Sequence, residues 1–197
     1  MAKLACYTRH KNFHKSLFDR NLQKSIFPYM EKTPKTVKES ATVTHDIVHP
    51  GDSNSYGIAF GGYLMGLLDK AACIAARRHC EGRVTTVGID GVRFFRPAEV
   101  GMILDIKASI NRVFNSSMEI GVKVTGTPLE QTETYDICHA YMTFAALDSK
   151  GKPTGIAQVI PETDEEKRRF EEALARRESR KQLKSLFTRA NTSPEKP

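Results

Sequence analysis

The feature that most narrows the possible folds is a single long apolar helix signature, residues 63–79, with strand-like sequence on either side. Good helix formers fill the segment, which opens after Phe60-Gly61-Gly62. Its apolar residues, Leu64, Leu67, Leu68, Ala71, Ala72, Ile74 and Ala75, spread over more than one face, which predicts a helix buried on most sides. Beyond Glu81-Gly82, residues 84–95, 102–114, 117–125 and 134–147 are rich in β-branched and aromatic side chains and read as four strands. Pro97 and Gly101, Asn115-Ser116 and Gly126-Thr127-Pro128 separate them, so the runs are expected to connect as an antiparallel meander. Upstream, residues 36–49, with Val37, Ala41, Val43, Ile47 and Val48 among polar residues, read as a first strand with β-branched side chains on one face, closed by His49-Pro50-Gly51-Asp52. Together these elements predict an α+β domain in which a curved antiparallel sheet wraps one central helix.

A chain of 197 residues can bury one good core, so the expectation is a single domain, 36–160, between a basic extension, 1–35, and a charged C-terminal helix and tail, 161–197. No apolar run approaches the roughly 20 residues of a membrane span, so stable membrane insertion is not expected. Cys6, Cys73, Cys80 and Cys138 lack C-x-x-C spacing and no secretory signal opens the chain, which fits a reducing, cytoplasmic setting. Segment 1–35 also resembles a mitochondrial transit peptide, although Asp19 and the absence of a clear amphipathic period weigh against that reading. The net charge of +7 and pI near 9.3 favour anionic partners, whether nucleic acid, an anionic surface or a phosphate-bearing small molecule. Much of the excess lies in the two tails, and no zinc-finger or ribonucleoprotein motif accompanies it, so nucleic acid is not the expected partner. Residues 161–186 predict an exposed helix held by i,i+3 and i,i+4 ion pairs, with Phe170 and Leu174 free to dock, and residues 188–197 a frayed end.

Two features carry chemistry. Gly61-Gly62 enters the helix, where first-turn N–H groups have no intrahelical acceptor and could polarise a carbonyl oxygen; alternatively the glycines only permit close helix–sheet packing. Asp69 sits among Leu67, Leu68, Ala71 and Ala72, where a carboxylate is either paired or kept for function. Seven residues of helix rise roughly 10 Å, so Asp69 cannot readily reach a carbonyl held at the start of its own helix. The expectation is a dimer with composite sites, Asp69 of one protomer facing the Gly61-Gly62 turn of its partner. His79-Cys80 with Asp69 and Cys73 follows no usual zinc spacing, and no Ser or Cys stands in a nucleophile elbow, so neither a metal site nor a Ser-His-Asp hydrolase is expected.

Segment 52–80, followed by Val84-Thr85-Thr86-Val87-Gly88-Ile89-Asp90 and Phe94-Phe95-Arg96-Pro97, resembles the cytosolic acyl-CoA hydrolases of the hot-dog superfamily. The likeness continues through Asn115-Ser116-Ser117-Met118-Glu119-Ile120 and Tyr141-Met142-Thr143-Phe144, covering about 35–180. It is similar both to bacterial single-domain enzymes and to halves of duplicated eukaryotic ones. The resemblance implies hydrolysis of fatty acyl-CoA, no metal or redox cofactor, a dimer with continuous sheets and often a trimer of dimers. It implies that Asp69 is the catalytic carboxylate, as general base or nucleophile, and that Gly61 and Gly62 hold the thioester oxygen. Phe60 is expected to contact substrate, and Asn115, Ser116, Ser117 and Lys152 to meet coenzyme A. Ile58 stands where many relatives place an asparagine or another polar residue, and Ser53, Asn54, Ser55 or Tyr56 are the candidates to replace it, Asn54 being counted among the substrate-binding residues. A protein that binds acyl-CoA without turnover, as a sensor or carrier, is the competing function.

Overall fold

The computed structural model describes residues 32–191, with side chains described as far as residue 183. The chain runs β1 (Lys35–Thr36), α1 (Val37–Ser40), β2 (Thr42–Ile47), a 3₁₀ turn (Pro50–Asp52) and the long helix α2 (Gly61–Cys80). Strands β3 (Arg83–Phe94), β4 (Ile103–Val113), β5 (Ser117–Thr127) and β6 (Tyr135–Leu147) follow, then β7 (Val159–Ile160) and helix α3 (Asp164–Asn191). The five long strands form one antiparallel sheet wrapped around α2. Alternate residues such as Leu104, Ile106, Ile110, Ile120 and Met142 point at the helix and are fully buried, the period of two that sets one face of a sheet against a core.

The sheet order is β2-β4-β5-β6-β3. Only β4, β5 and β6 are a meander; β3 crosses to the far side of β6 and becomes an edge, contrary to the expectation of four strands paired in sequence. Residues 95–102 carry the chain across, anchored by Phe95 N–H to the Ile137 carbonyl and Ala59 N–H to the Ala98 carbonyl. The expected first strand is also interrupted. Thr36 and Glu39 form a capping box, the Thr36 N–H donating to the Glu39 carboxylate at 2.6 Å, which starts one helical turn before β2. Val43 and Ile47 then face away from the core and are about half exposed, whereas Val37 and Val48 are buried. The parallel pairing of β1 with β7, Lys35 opposite Val159, has no counterpart in the sequence pattern.

Helix α2 is amphipathic rather than buried on most sides. Leu64, Leu68, Ala71, Ala72 and Ala75 pack inward, while Met65, Lys70, Ile74 and Arg77 are exposed. It ends at Glu81, whose left-handed backbone (φ 52°) lets its N–H close on the Arg77 carbonyl. Helix α3 starts on a reciprocal cap between Thr163 and Glu166 and carries the expected ladder, Arg168 and Arg169 to Glu165 and Arg168 to Glu172. It continues to Asn191, past the point where the pattern suggested fraying, and it is docked. Arg176 and Arg180 reach a fully buried Glu119 on the sheet face opposite α2, at 2.8 and 2.9 Å, and Ala173 is buried beneath. Residues 1–31 and 192–197, with the expected basic extension and its transit-peptide alternative, lie outside the described residues.

Candidate active site

Asp69 is half-buried on α2, and its Oδ1 accepts a 2.8 Å hydrogen bond from the Thr86 hydroxyl on β3. The bond fixes the carboxylate and leaves Oδ2 available to take a proton. Thr86 was legible only as part of the Thr85-Thr86 pair in a strand; nothing in hydrophobic periodicity says that this threonine meets a helix carboxylate, because that depends on β3 lying beside α2.

At the other end of the helix the first turn is open. Phe60 stands at the N-cap position, half exposed, and donates its N–H to the Asp52 carbonyl, and no side chain caps the helix. The N–H groups of Gly61 and Gly62 therefore lack intrahelical acceptors. A methyl group at Gly62 would meet nothing within 4 Å, and one at Gly61 would touch only the Phe94 ring at 3.5 Å. Close packing therefore does not account for Gly62 within the chain, which favours the alternative, access to the backbone. The preceding loop is held by Asn54, whose side-chain oxygen accepts the N–H groups of Tyr56 and Ile58 at 2.9 and 3.2 Å. Its amide nitrogen makes no hydrogen bond within the described residues. Ile58 is half-buried and bridged to Glu99.

The structure does not bring all the expected residues together. Asn115 and Ser116 form the β4–β5 turn and Ser117 opens β5, paired with Ala145, which in turn pairs with Thr85. They lie two strands in from the start of β3. Lys152 lies in the exposed turn after β6, where its N–H donates to Asp148, and Arg83 reaches the Ser149 carbonyl of that turn. These four residues therefore share the end of the sheet where β3 begins, the end nearer Asp69 and Thr86 than Gly61. Cys73 follows Asp69 by one helical turn, Cys138 is buried in β6, and His79 is buried against the Ala157 carbonyl at 2.9 Å. Among the described residues no group of three or more His, Cys, Asp or Glu side chains is arranged to hold a metal, and no helix is long and apolar enough to cross a membrane.

Residues 56–131, from the loop through β5, match the Thioesterase superfamily. An uncharacterized acyl-CoA thioester hydrolase of Bacillus subtilis, YkhA, is 37% identical over 155 residues, 78% of this chain and 90% of its own length. The chain belongs to the thioesterase superfamily. It is 34% identical over 153 residues to the cytosolic acyl coenzyme A thioester hydrolase of Rattus norvegicus, 77% of this chain but 40% of that protein; the chain thus spans about two fifths of this longer relative. Among solved thioesterases, an acyl-CoA hydrolase of Staphylococcus aureus in complex with butyryl coenzyme A, coenzyme A and coenzyme A disulfide superposes with a TM-score of 0.75 at 31% identity, covering 81% of this chain and all of that one.

Proposed function

We propose that the chain hydrolyses fatty acyl-CoA thioesters to a free acid and coenzyme A, with Asp69 as the catalytic carboxylate. The observation that carries this reading is the Thr86–Asp69 bond on a helix whose start is uncapped and glycine-lined. Water attacks the thioester carbonyl as Asp69 accepts its proton, the oxyanion takes the N–H groups of the Gly61-Gly62 turn, and the proton passes to the departing thiolate. Direct attack by Asp69 to form an acyl anhydride, then opened by water, is the second route for the same residues. Neither route calls for a metal or a redox cofactor.

A set of Staphylococcus aureus acyl-CoA hydrolase structures carries alanine substitutions of an asparagine, an aspartate and a threonine. In that protein the asparagine precedes the aspartate by fifteen residues and the threonine follows it by seventeen. Asn54, Asp69 and Thr86 have the same spacing here. This supports Asn54 as the polar group that Ile58 cannot supply, with its free amide nitrogen directed at the thioester oxygen or the water, and Phe60 against the acyl group.

The site needs a second protomer. Strand β3 has twelve residues, pairs among the described residues only with β6, and exposes Val87 (63%) and Ile89 (39%). Such an edge, with apolar side chains left exposed, is a pairing surface. Thr86 and Asp69 lie toward one end of β3 and Phe94 with Gly61 at the other. Antiparallel pairing of two β3 strands therefore sets the glycine turn of each protomer toward the carboxylate of the other, and joins the sheets. An apo-hexameric acyl-CoA thioesterase is 35% identical to the chain over 78% of its length, which supports assembly of three such dimers. By analogy with the cytosolic relatives we assign the reaction to the cytoplasm.

Thiol release from palmitoyl-CoA and from a short acyl-CoA tests the reaction; saturable binding without release on any chain length would instead identify a carrier. Val87→Lys, which places a charge on the pairing edge, is expected to shift the protein to monomers in sedimentation and to abolish turnover with them. Full activity in a monomer at high dilution would refute the composite site.

A further inference from the structure

Helix α3 crosses the outer face of the sheet strand by strand and does not stop at its edge. Arg169 donates to the Ser109 hydroxyl on β4, Arg176 reaches Glu119 on β5 and lies 3.8 Å over the Tyr141 ring on β6, and Arg180 meets Asp90 on β3 at 3.2 Å. From Arg169 to Arg180 the helix rises about 16 Å, which matches the width of the row β4-β5-β6-β3 at roughly 4.8 Å per strand. Beyond Arg180 it runs on to Asn191, although β3 is the last strand of the sheet among the described residues. That overshoot is again about 16 Å, roughly the width of three more strands. Its direction is set by the buried Glu119, which both Arg176 and Arg180 hold. The side of α3 that meets the sheet recurs with the helical period: Phe170 packs on the core, Ala173 is fully buried, Arg177 lies over the Phe114 ring, and Arg180 follows. The next position in that period is occupied by Leu183, which is 54% exposed because its own sheet has ended. A rigidly anchored helix thus carries its docking face, with a leucine on it, past the edge of the protomer.

We propose that the last turns of α3, residues 181–191, are an interaction surface for a second copy of this chain, and that the two α3 helices pack antiparallel across the two-fold axis. The inference rests on the pairing of two β3 edges given above. In a dimer with joined sheets the strand beyond β3 is the partner's β3, so the overshooting turns lie over the partner. Asp90, where α3 leaves the sheet, stands between Thr86 and Phe94, the two positions that the composite site sets opposite each other. Helix α3 therefore crosses the junction close to the axis, where it meets its own copy running the other way. With the junction at about residues 181–182, positions 184–191 of one helix run level with roughly 172–179 of the other. The first stretch contains Lys184 and Arg189 and no acid, and the second contains Glu172 and Glu178. The arginines of the second stretch are already placed, Arg176 on Glu119 and Arg177 over Phe114. The contact covers Leu183 and adds to the dimer an interface of side chains, separate from the backbone pairing of β3.

The test is sedimentation of the full chain over a dilution series, with Leu183→Glu beside Val87→Lys. Leu183 is exposed in the single protomer, so its substitution leaves the fold in place. Leu183→Glu is expected to raise the dissociation constant of the dimer about tenfold or more, the effect of losing one buried leucine at an interface. Hydrogen–deuterium exchange locates the contact: amides 184–191 should exchange about tenfold faster or more in the Val87→Lys monomer than in the wild-type dimer, while amides 170–180, held on the protomer's own sheet, keep their rates. If Val87→Lys is monomeric but Leu183→Glu dissociates no more readily than wild type, or the last turns exchange equally in dimer and monomer, the β3 pairing stands and the α3 contact falls. If Val87→Lys leaves the dimer intact, the β3 pairing is wrong, and weaker association of Leu183→Glu still upholds the last turns of α3 as the interface. A larger assembly that Leu183→Glu reduces to dimers and not to monomers would put the contact between dimers and overturn the inference, as would a wild-type chain that is monomeric throughout.

Discussion

Asp69→Ala is expected to lower kcat for acyl-CoA hydrolysis by about 10²- to 10⁴-fold, the range over which a positioned general base contributes. The carboxylate is half-buried and its one hydrogen bond, from Thr86, can be replaced by water, so the thermal midpoint should change little. Asp69→Asn sharpens the comparison, because its amide oxygen still accepts the Thr86 hydroxyl but can take no proton. If Asp69→Asn is as inactive as Asp69→Ala, the loss is of proton transfer or nucleophilic attack and not of local geometry. Substantial turnover in either variant would move the chemistry elsewhere. Asn54→Ala is expected to reduce kcat about 10²-fold, the size of effect seen when one donor to a developing oxyanion is removed. Unchanged turnover would rule Asn54 out and leave Ser53, Ser55 or Tyr56 to supply the missing polar group.

The largest effect on stability is expected at Glu119, far from this chemistry. Its carboxylate is fully buried between the sheet and α3, bound by Arg176 at 2.8 Å, by Arg180 at 2.9 Å and by the Asn111 amide at 3.1 Å. Arg180 also reaches Asp90, and Arg176 stacks 3.8 Å over the Tyr141 ring. Glu119→Ala leaves two guanidinium groups under α3 without their acceptor, and removing one side of a buried ion pair costs about 3 kcal/mol or more. Because both arginines keep a fifth of their surface in water, the lower end of that range is the expected value. A urea or thermal unfolding curve reads it directly. The exposed Glu165→Gln, which breaks similar-looking pairs on the outer face of α3, should leave the curve almost unmoved. Equal effects at the two positions would mean that α3 is not clamped to the sheet as described.

These two residues show what could be read from the chain alone. Asp69 was recognisable because a carboxylate inside an apolar helical run conflicts with its surroundings, and that conflict is local in sequence. Glu119 gave no such signal: in a strand, alternate residues face opposite sides, and a lone glutamate between Met118 and Ile120 reads as an ordinary solvent-facing position. Likewise the ion-pair ladder of α3 was visible as four-residue spacings, but not Arg176 and Arg180, whose partners are some sixty residues away.

The sequence by itself determined the elements: one long helix, four long strands after it within a few residues of their ends, and the charged final helix; it also singled out the carboxylate proposed for the site. Their signals are hydrophobic period, cap residues and turn residues, all of which act over a few positions. Only the tertiary structure decided that β3 leaves the meander to form the exposed edge, that Thr86 meets Asp69, and that Arg176 and Arg180 close on the buried Glu119. Each of these depends on which strands lie side by side, a choice made by burial of the whole sheet against α2 and not by any local pattern.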